Sequence, residues 1–301
     1  MLLAPDVAAA ERRRGFAWIA AAYLAAFLSA VAVAWDLRSR DVLWTAAAAD
    51  LAATVVVFGF SVALENSSVY DPYRSVAPIP IVLGWWWTSA RAGSPAWRQA
   101  LVVALVVAWG ARRTVHWARR WHGLTDEDFR YVELRARAGR WYWPVSLLGI
   151  HLMPTTWVFL GLLPAYVALV RPERPFEALD AIGVAVAVAA IAIESVADLQ
   201  LRLFRARTRD PGALPSTGLW AWSRHPDCFG ELLFWWGLFL LGLSARPSSA
   251  WIALGPLAIT LLFAVVGVPM TERRMRSRHA AWAAHARRTS ALVPWPPRGG
   301  P

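Results

Sequence analysis

The chain has 301 residues, 57% of them hydrophobic, with 20 tryptophans and a formal net charge of +11. Its mean hydropathy is positive, which excludes an ordinary soluble domain and points to a polytopic membrane protein. All 31 basic residues are arginine and no nucleic-acid motif accompanies them, so an anionic membrane surface accounts for the charge and no nucleic-acid partner is expected.

Runs of about 20 apolar residues suffice to cross a bilayer, and backbone polar groups in lipid must be satisfied within a helix. In chain order the expected spans are 16–35, 42–64, 76–90, 97–115, 144–170, 179–201, 228–245 and 249–269. The third is short and proline-rich, so the count is seven or eight. The first is too long for a removable signal peptide and lacks a cleavage site. The expected fold class is therefore all-α: a polytopic helix bundle, closed by a basic interfacial helix. Residues 1–15 form an N-terminal segment, 16–269 one membrane domain, and 270–301 the basic helix with a Pro/Gly tail.

Charge sets the orientation. With eight spans, 24 of the 31 arginines fall on one side, including Arg12–Arg14, the 112–140 loop, the 202–224 segment and the C-terminal tail. By the positive-inside rule that side, with both termini, is cytoplasmic. The Arg-only, Ala-rich composition resembles that of a GC-rich bacterial genome, so a bacterial cell membrane is expected.

Polar residues inside apolar runs are the candidates for function, because charge in lipid is costly. Asp50 lies within the second span, either facing a cavity or at the outer rim. Tyr70 and Tyr73 follow on a loop beside Asp71, where a phenol can polarise a carbonyl; a turn built around Asp71-Pro72 is the commoner reason for such a sequence. Glu194 and Asp198, four apart, end an apolar helix and are followed by Arg202, Arg205 and Arg207. Such a column suits ribose hydroxyls on the acids and phosphates on the guanidinium groups, or is a snorkelling, self-paired helix end.

The densest cluster is in residues 218–237, GLWAWSRHPDCFGELLFWWG. Trp220, Ser223, Arg224, His225, Asp227 and Glu231 stand at the mouth of the apolar run 232–243. Pro226 fits the first turn of a helix, whose free N–H groups suit an anion. Asp227 and Glu231 share a helix face and repel unless a cation or proton intervenes. A capped helix start at the membrane surface is the alternative. The lone Cys228 excludes an internal disulfide and reads as a small apolar helix residue. In 271–288, Met275, Trp282 and Ala286 lie on one side of a helix ringed by arginines, the pattern of an interfacial helix. There is no zinc spacing pattern, nucleophile elbow or Gly-rich phosphate loop. His116/His122 and His279/His285 are each six apart, poor for one helix face. No metal is expected.

Several motifs in fixed order resemble the DUF1295 family, relatives of the steroid 5α-reductases. They are Asp71-Pro72-Tyr73 with Ser75 and Pro78, Trp109-Gly110-x-Arg112, Asp126 through Tyr131, Glu194-x-x-x-Asp198-x-Gln200, the 218–237 stretch, and Gly267-Val268-Pro269 with Glu272 and Thr289-Ser290. The resemblance covers roughly 40–297. It implies hydride transfer from NADPH to an activated C=C bond of a lipophilic enone, steroid-like or isoprenoid, in a bundle without a Rossmann domain. On this reading Glu194, Asp198, Arg202, Arg205, Trp220, Ser223, Arg224, His225, Asp227 and Glu231 hold the cofactor, Arg278 and Arg287 close over its phosphates, and Asp50 and Tyr73 activate the substrate. Arg278 and Arg287 alternatively bind anionic lipid.

The chain departs from the family pattern at Asp227-Cys228, where Asn-Tyr is usual, at Arg74, usually Trp, and at His285, usually Tyr. Arg224 to Gly230 also resembles the R-H-P-x-x-x-G of isoprenylcysteine carboxyl methyltransferases, which implies S-adenosylmethionine as the alternative cofactor. A third reading is a non-catalytic lipid-binding protein. The substrate and the oligomeric state are not legible in the sequence.

Overall fold

The computed structural model describes residues 5–90, 96–210 and 212–298. The extreme ends of the expected N-terminal segment and Pro/Gly tail, residues 1–4 and 299–301, lie outside the described residues. Among these residues the chain is helical, with no strand beyond an isolated parallel bridge between Ser223 and Ser290. Six helical runs are long and apolar enough to cross a membrane: Ala9–Asp36, Val42–Ala63, Phe129–Val170, Ala178–Arg207, Pro226–Ala245 and Pro247–Arg278. The protein is a multi-pass membrane helical bundle.

The chain divides into two compact units, residues 1–88 with 109–159, and residues 89–108 with 160–301. In the first unit, α1 (Pro5–Asp36) and α2 (Val42–Ala63) pack side by side. The Asp41 side chain accepts from the Leu43 N–H and caps α2. A 3-10 turn at Ser67–Tyr70 leads into the short α3 (Tyr73–Val76) and then α4 (Pro78–Ala90). At 13 residues, α4 is shorter than the ~20 residues a perpendicular crossing needs. The next helix, α5 (Ala96–Arg120), carries five arginines along its 25 residues and is amphipathic rather than uniformly apolar. The segments expected to be spans three and four are thus helical but outside the six apolar runs.

Arg12 donates to the carbonyls of Ala118 and Trp121 at the C-terminal end of α5, both at 2.8 Å, satisfying groups a helix end leaves open. α6 (Phe129–Ala138) starts on an Asp128 cap. α7 (Tyr142–Ser146) continues through a π-helical stretch, Leu147–Leu152, into α8 (Met153–Gly161).

The second unit holds α9 (Leu163–Val170), α10 (Ala178–Arg207), the single turn α11 (Leu219–Trp222), α12 (Pro226–Ala245), α13 (Leu254–Leu262), α14 (Val268–Arg278) and α15 (Trp282–Arg288). Its spine is the α10–α12 pair. A Cβ added at Gly237 would sit 2.8 Å from the Ala187 nitrogen, and one at Gly230 would sit 2.6 Å from Glu194 Cγ. Lipid supplies no hydrophobic drive between helices, so small residues that let backbones approach closely are what make such a seam.

Asp180 anchors the start of α10. It accepts a bidentate pair from buried Arg98 at 2.6 and 2.7 Å, a bond from Ser244 Oγ at 2.7 Å, and the Glu177 N–H at 2.9 Å. The single basic helix expected over 271–288 is two helices, because the backbone leaves helical geometry at His279 and Trp282 turns inward, 3% exposed.

Candidate functional site

The sequence-predicted site residues fall in two polar clusters, one in each unit. In the first, α2, α3, the turn before it and the π-helical stretch converge. The Tyr73 hydroxyl donates to Asp50 Oδ1 at 2.7 Å, with both residues buried. Tyr70 stacks obliquely on Tyr73 at 5.5 Å between ring centroids and shares a 2.8 Å hydrogen bond with Thr155, itself 2.9 Å from Thr54. On its other side, Tyr70 lies 4.8 Å from the His151 ring, and His151 bonds Ser61 Oγ at 3.0 Å. Burial, and then the neighbouring carboxylate, hold the Tyr73 phenol far above its ordinary value. It is therefore a neutral donor.

Asp50 thus faces the interior rather than an outer rim, and Tyr70 and Tyr73 are packed residues rather than loop residues. His151, Thr155, Thr54 and Ser61 belong to the same network and do not stand out in the sequence, where each is isolated in an apolar run. Asp71, of the Asp-Pro-Tyr stretch, accepts from Tyr131 at 2.6 Å and lies 3.4 Å from Arg74.

In the second unit the 218–231 segment is held from two sides. Gly218, at φ +61°, leaves room for the Gln200 amide, which any Cβ there would strike, and Gln200 Oε1 accepts the Leu219 N–H at 2.9 Å. Trp220 Nε1 donates to the Ala197 carbonyl at 3.1 Å. On the other side, residues 289–298 lie along the segment. Arg224 N–H donates to the Ser290 carbonyl at 2.8 Å, Ser223 Oγ to that of Leu292 at 2.8 Å, and Trp295 N–H to that of Trp222 at 3.0 Å.

The Arg224 side chain, 9% exposed, donates through Nε to Glu272 at 2.8 Å and through the terminal nitrogens to Glu272 and the carbonyls of Ala286 and Thr289. Its donors are engaged within the chain. Arg224 therefore shapes the site instead of reaching out to a ligand.

The remaining candidates sort by position. Glu194 is 1% exposed in the α10–α12 seam, and Glu231 accepts from Trp235 Nε1 at 3.3 Å. Asp198 is half-buried, while Arg202 and Arg205 are exposed at the C-terminal end of α10. His225 is buried, and desolvation holds its imidazole below the ordinary value. Asp227 begins α12, with its Oδ1 buried and without a hydrogen-bond partner among the described residues.

Arg287 lines a groove of about 290 Å³ together with Arg224, Arg288, Arg298, Thr289 and Trp295; Arg278 is exposed and is not among its lining residues. A second groove of about 360 Å³ is bordered by Gln200, Phe204, Arg207 and Thr217. The arginine-rich groove fits a phosphate group chemically. Its volume is at the small end of ligand-pocket size.

Residues 57–289 match the family described as "Protein of unknown function (DUF1295)". The chain belongs to this family. An uncharacterized protein of Schizosaccharomyces pombe is 27% identical over 214 residues, covering 64% of this chain and 62% of that protein. The chain thus spans under two thirds of that relative's length. No solved structure matches.

Proposed function

We propose that the protein is a membrane-embedded NADPH-dependent reductase acting on the activated C=C bond of a lipophilic, steroid-like or isoprenoid enone. The observation that carries the reading is the arginine-rich groove built on residues 286–298, set against the 218–231 segment by the Arg224 clamp. Arg287, Arg288 and Arg298 would hold the 2′-phosphate, for which guanidinium forks are the best-matched partners. Glu194, expected to take a ribose hydroxyl, is sealed in the α10–α12 seam and is withdrawn from the cofactor set; half-buried Asp198 remains the acid for a ribose hydroxyl. When bound, the nicotinamide supplies the hydride.

Within the first unit, the Asp50–Tyr73 pair has the chemistry that polarising an enone carbonyl needs. The Tyr73 phenol has a single O–H, donated to Asp50 at 2.7 Å, so it would serve a developing enolate oxygen by turning that proton from Asp50 to the substrate, with Asp50 holding it in the resting site. The exposed apolar faces of the six spanning helices would give a lipophilic substrate access from the bilayer. We place both termini on the cytoplasmic side, on the 24-to-7 partition of arginine that eight crossings give, and keep the bacterial cell membrane expected from the Arg-only, Ala-rich composition.

The decisive experiment is mass spectrometry of nucleotides that co-purify with the detergent-solubilised protein, followed by titration. Bound NADPH, held more tightly than NADH, is expected. S-adenosylmethionine, or equal affinity for NADPH and NADH, would overturn the assignment.

A further inference from the structure

His225, Asp227 and Cys228 each offer one ligand atom, and these atoms lie within 4.8 Å of one another. Ligand atoms around a tetrahedral zinc ion, with bonds of about 2.0–2.3 Å, are about 3.6 Å apart. Side-chain rotations of an ångström or so therefore close the trio on one ion. Among the described residues no other group of three such side chains comes so near. The donors are consecutive around Pro226 and match no zinc spacing pattern, so the sequence reading expects no metal. The site arises where the extended backbone at Ser223 passes through His225 into the first turn of α12.

A second observation points to a cation. His225, with its side chain 8% exposed, and Asp227 each bury a polar atom, Nε2 and Oδ1, that has no hydrogen-bond partner among the described residues. Such atoms are costly to bury unless something compensates them. The nearest acid to His225 Nε2 is Glu272 Oε1 at 3.6 Å, an oxygen already taken by Arg224.

We propose that His225, Asp227 and Cys228 bind one divalent metal ion of the zinc class. The donor set decides the class. Magnesium and calcium take oxygen ligands, whereas one imidazole nitrogen, one carboxylate oxygen and one thiolate suit a borderline-soft ion. Binding releases the Cys228 thiol proton to solvent and uses the neutral imidazole. Three protein ligands leave the fourth position to water. The inference shares His225 and Asp227 with the expected cofactor site, and its test runs without a nicotinamide nucleotide.

The test uses full-length protein on a tag without histidine, stripped with a chelator. Zinc is added back and counted by elemental analysis, and cobalt(II) is titrated as a spectroscopic probe. One zinc per chain is expected, with a thiolate-to-cobalt charge-transfer band whose only source in a single-cysteine chain is Cys228. Cys228→Ser should abolish the band, and Asp227→Asn should weaken zinc binding at least tenfold, while both variants melt like the metal-free parent. Cobalt binding without the band, or equal zinc content in parent and Cys228→Ser, overturns the proposal.

Discussion

The Tyr73 hydroxyl and the Asp50 carboxylate form a buried 2.7 Å hydrogen bond between α3 and α2. It links a residue of the Asp-Pro-Tyr stretch to an acid 23 positions earlier, inside a helix that otherwise reads as a plain membrane span. Removing one partner leaves the other unsatisfied, which costs about 1–3 kcal/mol. Tyr73→Phe should therefore lower the melting temperature modestly. On the reductase reading it should also reduce turnover about 100-fold or more while NADPH affinity stays unchanged. Unimpaired turnover in Tyr73→Phe would remove this pair from the chemistry.

Arg224 is the better test of architecture. Replacing it with Met leaves Glu272 facing a buried imidazole without its guanidinium, and breaking one side of such a pair costs about 3–5 kcal/mol. Arg224→Met should be expressed poorly, and its groove should lose affinity for NADPH. The double variant Arg224→Met, Glu272→Leu should recover much of the stability but not the affinity. Thermal melting in detergent and a binding titration separate the two effects.

The α10–α12 seam predicts which glycines matter. Gly237→Ala puts a methyl group 2.9 Å from Ala187 Cβ, and overpacking of this kind costs about 1–3 kcal/mol. Gly59→Ala meets nothing within 4 Å and should be neutral or slightly stabilising through helix propensity. Parallel melts of the two variants decide it; equal effects would mean the seam is looser than described.

His285 gives the pH dependence. Burial, and then the Arg224 charge, hold its folded value below 6.5, so the unfolded chain takes up the proton first. Stability is full above about pH 6.5 and declines as the pH falls through the interval down to the folded value. The melting temperature should drop between about pH 7.5 and pH 5.5, and His285→Tyr should flatten part of that slope. His225, shifted the same way, contributes with the same sign. A variant with an unchanged profile would exclude His285 as a source.

Asp227 separates the two ligands proposed for its neighbourhood. An amide offers a donor as well as an acceptor, whereas an ionised carboxylate offers only acceptors. In chelator-treated protein, Asp227→Asn should therefore tighten NADPH up to about tenfold, or about 1.4 kcal/mol, and Glu231→Ala should weaken it. The Asn variant moves zinc in the opposite direction, so calorimetry with each ligand reads the two claims independently.

Hydropathy is a local signal, which is why Val42–Ala63, Ala178–Arg207 and Pro226–Ala245 are legible in the sequence. The start of α12 at Pro226 is legible for the same reason: proline at a first turn needs no partner. Partnership over distance is not. Arg224 reads as a free cation until Glu272, 48 residues on, and Thr289, 65 residues on, are brought to it. His151 sits in an apolar run with nothing beside it in sequence to mark it, and its role emerges only when Tyr70 and Ser61 close around it. The break at His279 is hidden because arginine periodicity continues across a backbone that does not.

The Arg224 clamp also imposes an order on biosynthesis. When α12 is ready to enter the bilayer, the carboxylate and carbonyls that neutralise the guanidinium at its mouth are still being translated. Until they emerge, the cost of dehydrating that charge holds residues 218–225 at the aqueous boundary. A ribosomal pause or truncation before residue 272 should therefore strand the nascent protein with this entrance unsealed, a state that quality-control proteases can recognise.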